Sequence, residues 1–296
     1  MRHLSSFLFA TLLFSAFTIQ GQSNVQTYTP SVLLRPQQIE VGVFNNFYTQ
    51  EGFRDGEGEF VDLMEQQTYY TAMIQFNYGI SKKSRINLGL DVNLQSVRLD
   101  PDPESSMFRV LRFEDTSFAR TAITGIGPRV KFRPVDKWTG FSVSSAFWIP
   151  VADSMENYPF LAWDRFTWWN QFFYDQKLTE NTRLFVETDL LFRLPRYGGQ
   201  SVLLSLPTSA FLSWFPTSKS TVYVMSQYSP EFQRLSEAPG DGSSQAFYNS
   251  YFLQIGAGAK YQVTNHLQLE FLYTNFAASQ NAGAGATWNL GIKFIK

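Results

Sequence analysis

The chain of 296 residues contains no cysteine and two histidines, His3 and His266. Without cysteine there is no disulfide, thiolate metal site, cysteine nucleophile or lipid-modified N-terminal cysteine. A protein exported unfolded through an oxidising compartment is well served by that lack. Charge is scarce too: 17% of residues are charged, with a net charge of −1 and no Lys/Arg run. A typical chain has about a quarter charged residues, and no nucleic-acid footprint is present. Long apolar stretches are also missing, with one exception. Arg2 and His3 precede an apolar run from Leu4 to Ile19, closed by Gln20, Gly21 and Gln22. That pattern reads as a cleaved signal peptide over residues 1 to about 21. No later run is long enough for a transmembrane helix, so a membrane-bound mature chain must cross as strands.

Aromatics are abundant, with 29 Phe, 14 Tyr and 7 Trp. The clearest periodic stretch is Arg85 to Gln95, RINLGLDVNLQ. Ile86, Leu88, Leu90, Val92 and Leu94 point one way, and Asn87, Gly89, Asp91, Asn93 and Gln95 point the other. Such a strand could pack its apolar face in a sandwich or turn it toward lipid in an outer-membrane barrel. Alternation recurs from Ile39 onward. Twelve strands are predicted, near 38–49, 68–80, 84–98, 119–134, 138–151, 163–177, 181–194, 201–216, 219–229, 246–263, 266–276 and 284–295. Turns after even-numbered strands are short, as in SKKS, VDKW, LTEN and PTSK. Connections after strands 1, 3, 5 and 9 are long and polar: Gln50 to Gln67, Leu99 to Phe118, Ala152 to Ala162 and Pro230 to Gln245. An even count with sorted loops indicates an all-β, closed antiparallel transmembrane β-barrel with short periplasmic turns and long extracellular loops. The expected division is signal peptide to residue 21, a short periplasmic segment over 22–37, and the barrel over 38–296.

Phasing from Leu88 sends Tyr70, Ile74, Phe76, Val186, Trp288, Leu290 and Phe294 outward, and Thr71, Gln75, Glu187 and Asp189 inward. Trp148, Trp169, Phe173, Leu203 and Phe211 fall on the polar side, which implies either a bulge or a lumen that is partly packed. Tyr48, Tyr69, Tyr78, Trp138, Trp163, Tyr174, Trp214, Tyr228 and Tyr273, near strand ends, are candidates for interfacial girdles.

Near the C-terminus, IGAGAKYQVTNHLQLEFLYTN from Ile255 and GATWNLGIKF from Gly285 resemble the outer-membrane transporter barrels of the phenol-degradation (MetA-pathway) type, as found in Bacteroidetes. TGIGPRVKFRP from Thr124 resembles the same family's mid-chain strand, with Pro128 where an acidic residue often follows the GxG. The resemblance implies a barrel and transport, without naming a solute.

Chemistry-bearing residues are few. His266 falls in the turn before strand 11, on the periplasmic edge, away from where a barrel hydrolase would keep its site. No metal or cofactor set is present. The acidic stretches Glu51 to Glu65 and Asp100 to Glu104 match no EF-hand spacing and read as solvated loops, with Ca²⁺ binding the alternative. Lumen-facing candidates are of both signs. Asp91 faces a strand carrying Arg129, Lys131 and Arg133. Glu187, Asp189 and Arg193 lie beside Arg165 and Asp175, and Lys260, Glu270, Lys293 and Glu40 occupy successive strands if strand 12 closes onto strand 1. Such rows mean either a polar pathway or a salt-bridged plug. The readings are a passive channel or transporter for small molecules, a non-conducting accessory subunit of an outer-membrane complex, and, least supported, a hydrolase. Expected partners are outer-membrane lipid and lipopolysaccharide, with complex subunits possible and nucleic acid excluded.

Overall fold

A computed structural model describes residues 32–153, 159, 161, 165–197, 201–234 and 247–296. The expected signal peptide and residues 22–31 of the segment after it lie outside the described residues. Twelve antiparallel strands form a closed cylinder: β1 Ile39–Arg54, β2 Phe60–Gly79, β3 Ile86–Asp100, β4 Ala119–Phe132, β5 Phe141–Pro150, β6 Phe166–Lys177, β7 Thr182–Leu194, β8 in two pieces, Leu203–Ser205 and Thr208–Trp214, β9 Ser220–Arg234, β10 Phe247–Gln262, β11 Leu267–Gln280 and β12 Ala282–Ile295. Closure is made by β12 on β1, from Glu40 opposite Ile295 to Arg54 opposite Ala282. No sheet edge is left open, as hydrocarbon surroundings require. The fold matches the twelve-strand expectation.

Outward side chains form an apolar belt. Leu88 is 49% exposed, Val224 56% and Ile255 54%. An apolar surface of this extent belongs against lipid rather than water. Short turns gather at one end of the cylinder, the turn end, and the longer connections at the other, the loop end. Tyr78, Trp138, Tyr174 and Trp214 ring the outer wall near the turn end, all more than two-fifths exposed. Tyr228 and Tyr273 also face outward. Tyr48 and Tyr69, expected in a girdle, instead face the lumen, stacked on each other at 5.6 Å. Their register places them beside Asn46 and Thr71 on the inner face. Trp163 lies outside the described residues.

Two connections differ from the sequence reading. The acidic stretch after Gln50 is a protruding hairpin, with Phe53 paired to Val61 and Arg54 to Phe60 beyond a bulge at Gln50/Gly52. Asp55 Oδ1 accepts the N–H groups of Glu57 and Glu59, both at 2.9 Å, closing the turn through Gly58 at φ +85°. Glycine- and acid-rich composition hid a strand pair whose side chains are simply wet. Likewise β11 and β12 meet through Asn281 alone, at φ 49°, a left-handed conformation that asparagine tolerates. The break in β8 falls at Leu206 and Pro207. Proline has no N–H to give the ladder, yet the Pro207 carbonyl still accepts from Asp189 N at 2.8 Å.

No phase slip occurs at the aromatic-rich strands. Ala146 pairs with Arg129 and Trp169, so Trp148, Trp169 and Phe173 share the inner face with Arg129; Leu203 pairs with Arg193 and Phe211 with Phe185. The lumen is therefore partly packed. Gly127 permits this packing on the β4–β5 side, because a Cβ there would lie 1.8 Å from the Phe147 carbonyl oxygen. Gly127→Ala is expected to separate the two strands and destabilise the barrel by about 1–3 kcal/mol. A lower temperature for loss of heat-modifiable gel migration would show it; an unchanged temperature would mean the backbone can yield.

Candidate functional site

The candidate site is the lumen, and its two sides differ. On the β3–β7 side a polar core is sealed from solvent. Asp91 is 0% exposed and Arg129 6%. Their register is diagonal, since Asp91 lies opposite Gly127, and the missing side chain at Gly127 leaves Arg129 room to reach down the strand. The guanidinium grips the carboxylate through Nε, 2.9 Å from Oδ1 and 3.0 Å from Oδ2, and Nη2, 2.5 Å from Oδ2. Its Nη1 donates to Ser144 Oγ at 2.8 Å and to Gln171 Oε1 at 2.7 Å. Trp148 Nε1 gives Asp91 Oδ2 a further hydrogen bond at 2.9 Å. Gln171 passes the network to Glu187 at 2.7 Å, while Trp169 Nε1 donates to Asp189 Oδ2 at 2.8 Å. Bidentate, charge-assisted bonds of this kind are strong and geometrically exacting. Asp91 thus meets arginine and indole rather than water.

The other side, from β7 round to β1, is less filled. A cavity of about 250 Å³ is lined by Phe44, Phe185, Phe211, Phe215, Tyr223 and Leu272, with Lys260, Glu270, Asp175 and Arg183 among its polar groups. Lys260 Nζ stands 3.1 Å from Glu270 Oε1, which also accepts the Tyr223 hydroxyl at 2.6 Å. Gly258 makes space for that tyrosine, since a Cβ there would come within 2.5 Å of Tyr223 Cζ. Lys293 and Glu40 pair at 3.7 Å on the adjoining strands. Phe173, Phe185, Phe211 and Tyr223 make a row of rings across β6–β9, with centroid spacings of 5.9, 5.6 and 5.7 Å. An ammonium stands at each end of the row. Lys131 Nζ is 5.1 Å from the Phe173 centroid and Lys260 Nζ 5.5 Å from that of Tyr223; such cation–π contacts keep a lumen lysine close to an apolar wall.

A wider vestibule of about 1180 Å³ opens at the turn end, lined by Val32, Leu33, Arg35, Arg133, Lys137 and Lys177. Asp175 and Arg183, paired at 2.9 Å, line both vestibule and cavity. Crossing this mouth is the segment before β1. Leu33 and Leu34 are each 4% exposed. Leu34 N donates to Asn87 Oδ1 at 3.2 Å, Lys131 Nζ donates to the Val32 carbonyl at 3.3 Å, and Leu34 packs on Ile295. The described end of the 22–37 segment is therefore seated in the mouth of the cylinder.

The remaining lumen candidates sit nearer the loop end. Arg193 pairs with Glu231 and donates to Ser205 Oγ at 2.9 Å. Arg165 donates to the Ser201 carbonyl at 3.0 Å and joins no carboxylate row with Asp175, which lies at the opposite end of β6. Glu231, Gln171, Trp148 and Trp169 were not among the sequence candidates. For the two tryptophans the signal was present: alternation placed them on the polar face, where an indole N–H is a donor. Among the described residues no group of three or more His, Asp or Glu is placed to hold a metal ion.

No protein-family model matches the chain, and no curated protein is similar to it in sequence. Solved structures do resemble it. An outer-membrane channel of Pseudomonas putida F1 superposes with a TM-score of 0.65 at 10% identity, over 90% of this chain and 98% of that one. The β-domain of the Bordetella autotransporter BrkA gives 0.54 at 9% identity, over 87% and 99%. At such identities the likeness concerns architecture. The chain has the fold of outer-membrane β-barrels.

Proposed function

We propose that the chain is exported on its N-terminal signal peptide and resides in a bacterial outer membrane as a narrow passive channel for small molecules. The observation that carries this reading is the adjacency of vestibule and cavity: Asp175 and Arg183 line both, so the mouth and the space inside adjoin at this ion pair. At about 250 Å³ the cavity is smaller than the ~300–1000 Å³ of drug-sized sites. Its lining of rings and paired charges suits a small solute with an apolar body and one polar end, in keeping with the resemblance to phenol-degradation transporters. In this reading the barrel acts by selection rather than reaction.

Planar-bilayer recordings of the refolded protein test the reading. A small, steady conductance is expected, and Ser213→Trp, which places an indole in the cavity, should reduce it to a minor fraction without altering heat-modifiable migration. An equal conductance in the variant would mean ions take another route. A second reading, a non-conducting subunit of an outer-membrane complex, draws support from the sealed Asp91–Arg129 side. Silence of the bilayer together with co-purifying partners would favour it.

A further inference from the structure

The connection between β3 and β4 does not rise away from the barrel but folds back over its outer wall. Ser96 and Thr121 are paired on the outward face, where bare hydroxyls would meet hydrocarbon. Instead they bond to each other at 2.7 Å, and Ser96 Oγ donates to the Val110 carbonyl at 2.9 Å. Val110 belongs to a short 3₁₀ helix, Met107–Arg112, and is 2% exposed. An ion network fastens this flap to the wall. Arg98 bonds Asp100 at 3.0 Å and Glu114 at 2.6 Å, and Arg109 bonds Asp100 at 2.6 Å.

The flap also extends a row of aromatics on the outer wall. Tyr273, Trp288, Phe47, Tyr70, Ser96 and Thr121 are paired in one continuous register across β11, β12, β1, β2, β3 and β4. The first four are outward aromatics, three of them the Tyr and Trp that membrane interfaces favour; the last two are not aromatic. Where the aromatics stop, the flap begins: Phe113 lies 5.9 Å from Tyr70 and Phe108 6.4 Å from Phe47. Both face away from the barrel, Phe108 at 63% exposure and Phe113 at 49%. Between them in sequence stands Arg112, 61% exposed, whose one acidic contact is with Glu114 at a loose 3.9 Å, on a carboxylate that Arg98 already holds through its other oxygen.

We infer that this flap is a seat for the phosphorylated glycolipid of the outer leaflet, with Phe108 and Phe113 against its acyl region and Arg112 on a phosphate. The inference rests on the membrane-barrel reading above. Its physical basis is the packing of Phe113 and Phe108 on the outward Tyr70 and Phe47 of the wall, and the placing of an exposed guanidinium beside them, where phosphate is the ion it matches best. A protein partner would instead need the two phenyl groups to be its contact.

The test is native mass spectrometry of the refolded full chain in detergent, titrated with bisphosphorylated lipid A and, separately, with lipid A stripped of phosphate. EDTA is present throughout, so that the exposed carboxylates of Asp102, Glu104 and Asp115 cannot hold phosphate through a bridging cation. Wild type is expected to retain the phosphorylated form preferentially. Arg112→Gln should retain about fivefold less, and Arg112→Lys should keep most of it. Equal retention by wild type and Arg112→Gln, or no preference for phosphate, would overturn the seat while leaving the barrel intact. Failure of the wild type to show heat-modifiable migration would overturn the barrel reading itself, and the seat with it.

Discussion

Arg129→Met is expected to destabilise the folded barrel by about 3–5 kcal/mol, the cost of leaving one buried charge without its partner. Asp91 would be stranded with one indole N–H, at a position with 0% exposure, and Ser144 and Gln171 would each lose a donor. Urea unfolding in lipid vesicles, followed by tryptophan fluorescence, measures the loss. The double variant Asp91→Asn/Arg129→Met should recover more than half of it, because position 91 then carries no charge to strand and an amide oxygen still accepts from Trp148. That comparison separates the penalty of an unpaired charge from the worth of the pair itself, which is often small once burial is counted. A cost for Arg129→Met below about 1 kcal/mol, the range of exposed pairs, would mean that water reaches Asp91 and that this side of the lumen is open.

The second large effect is on conductance. Leu33→Ser/Leu34→Ser should raise it severalfold. These side chains are buried at the mouth, and each is worth about 1.5–3 kcal/mol when fully withdrawn from water. What then remains to hold residues 32–34 is a lysine bond to the Val32 carbonyl and an amide bond to Asn87, while Gln37 stays tied to the Gly79 carbonyl at the foot of β1. Serine is the better replacement than aspartate, since Arg35, Arg133 and Lys137 around the vestibule would draw an acid back in. Unchanged conductance in bilayers would show that the segment does not narrow the path, and reduced conductance would show that it props the mouth open.

Much of this architecture can be read from period alone. RINLGLDVNLQ carries its lipid face and its wet face in alternation, and all twelve strands were found because each must satisfy the same two-sided demand. Pairing between nearest strands was legible as well: Lys260 with Glu270 and Lys293 with Glu40 follow from placing like-facing residues on successive strands. Contacts that skip a strand were not. Arg129 reaches Gln171 on β6 past β5, and Leu34 reaches Ile295 across the mouth; alternation says which side a residue faces but not how far its side chain extends over a curved wall. The hairpins at Asp55 and Asn281 were missed for a different reason. Beyond the membrane both faces of a strand are wet, so the two-residue period in hydrophobicity fades while the backbone pairing continues.

The seating of Leu34 also sets an order of events. Its packing partner is Ile295, the last residue but one, and Ile39 and Lys296 exchange backbone hydrogen bonds at 2.8 and 2.9 Å beside it. An incomplete sheet offers the segment no such surface. The seat of the first described residues is therefore complete only when the last strand has docked on the first, although Asn87 and Lys131 can hold part of the segment before that.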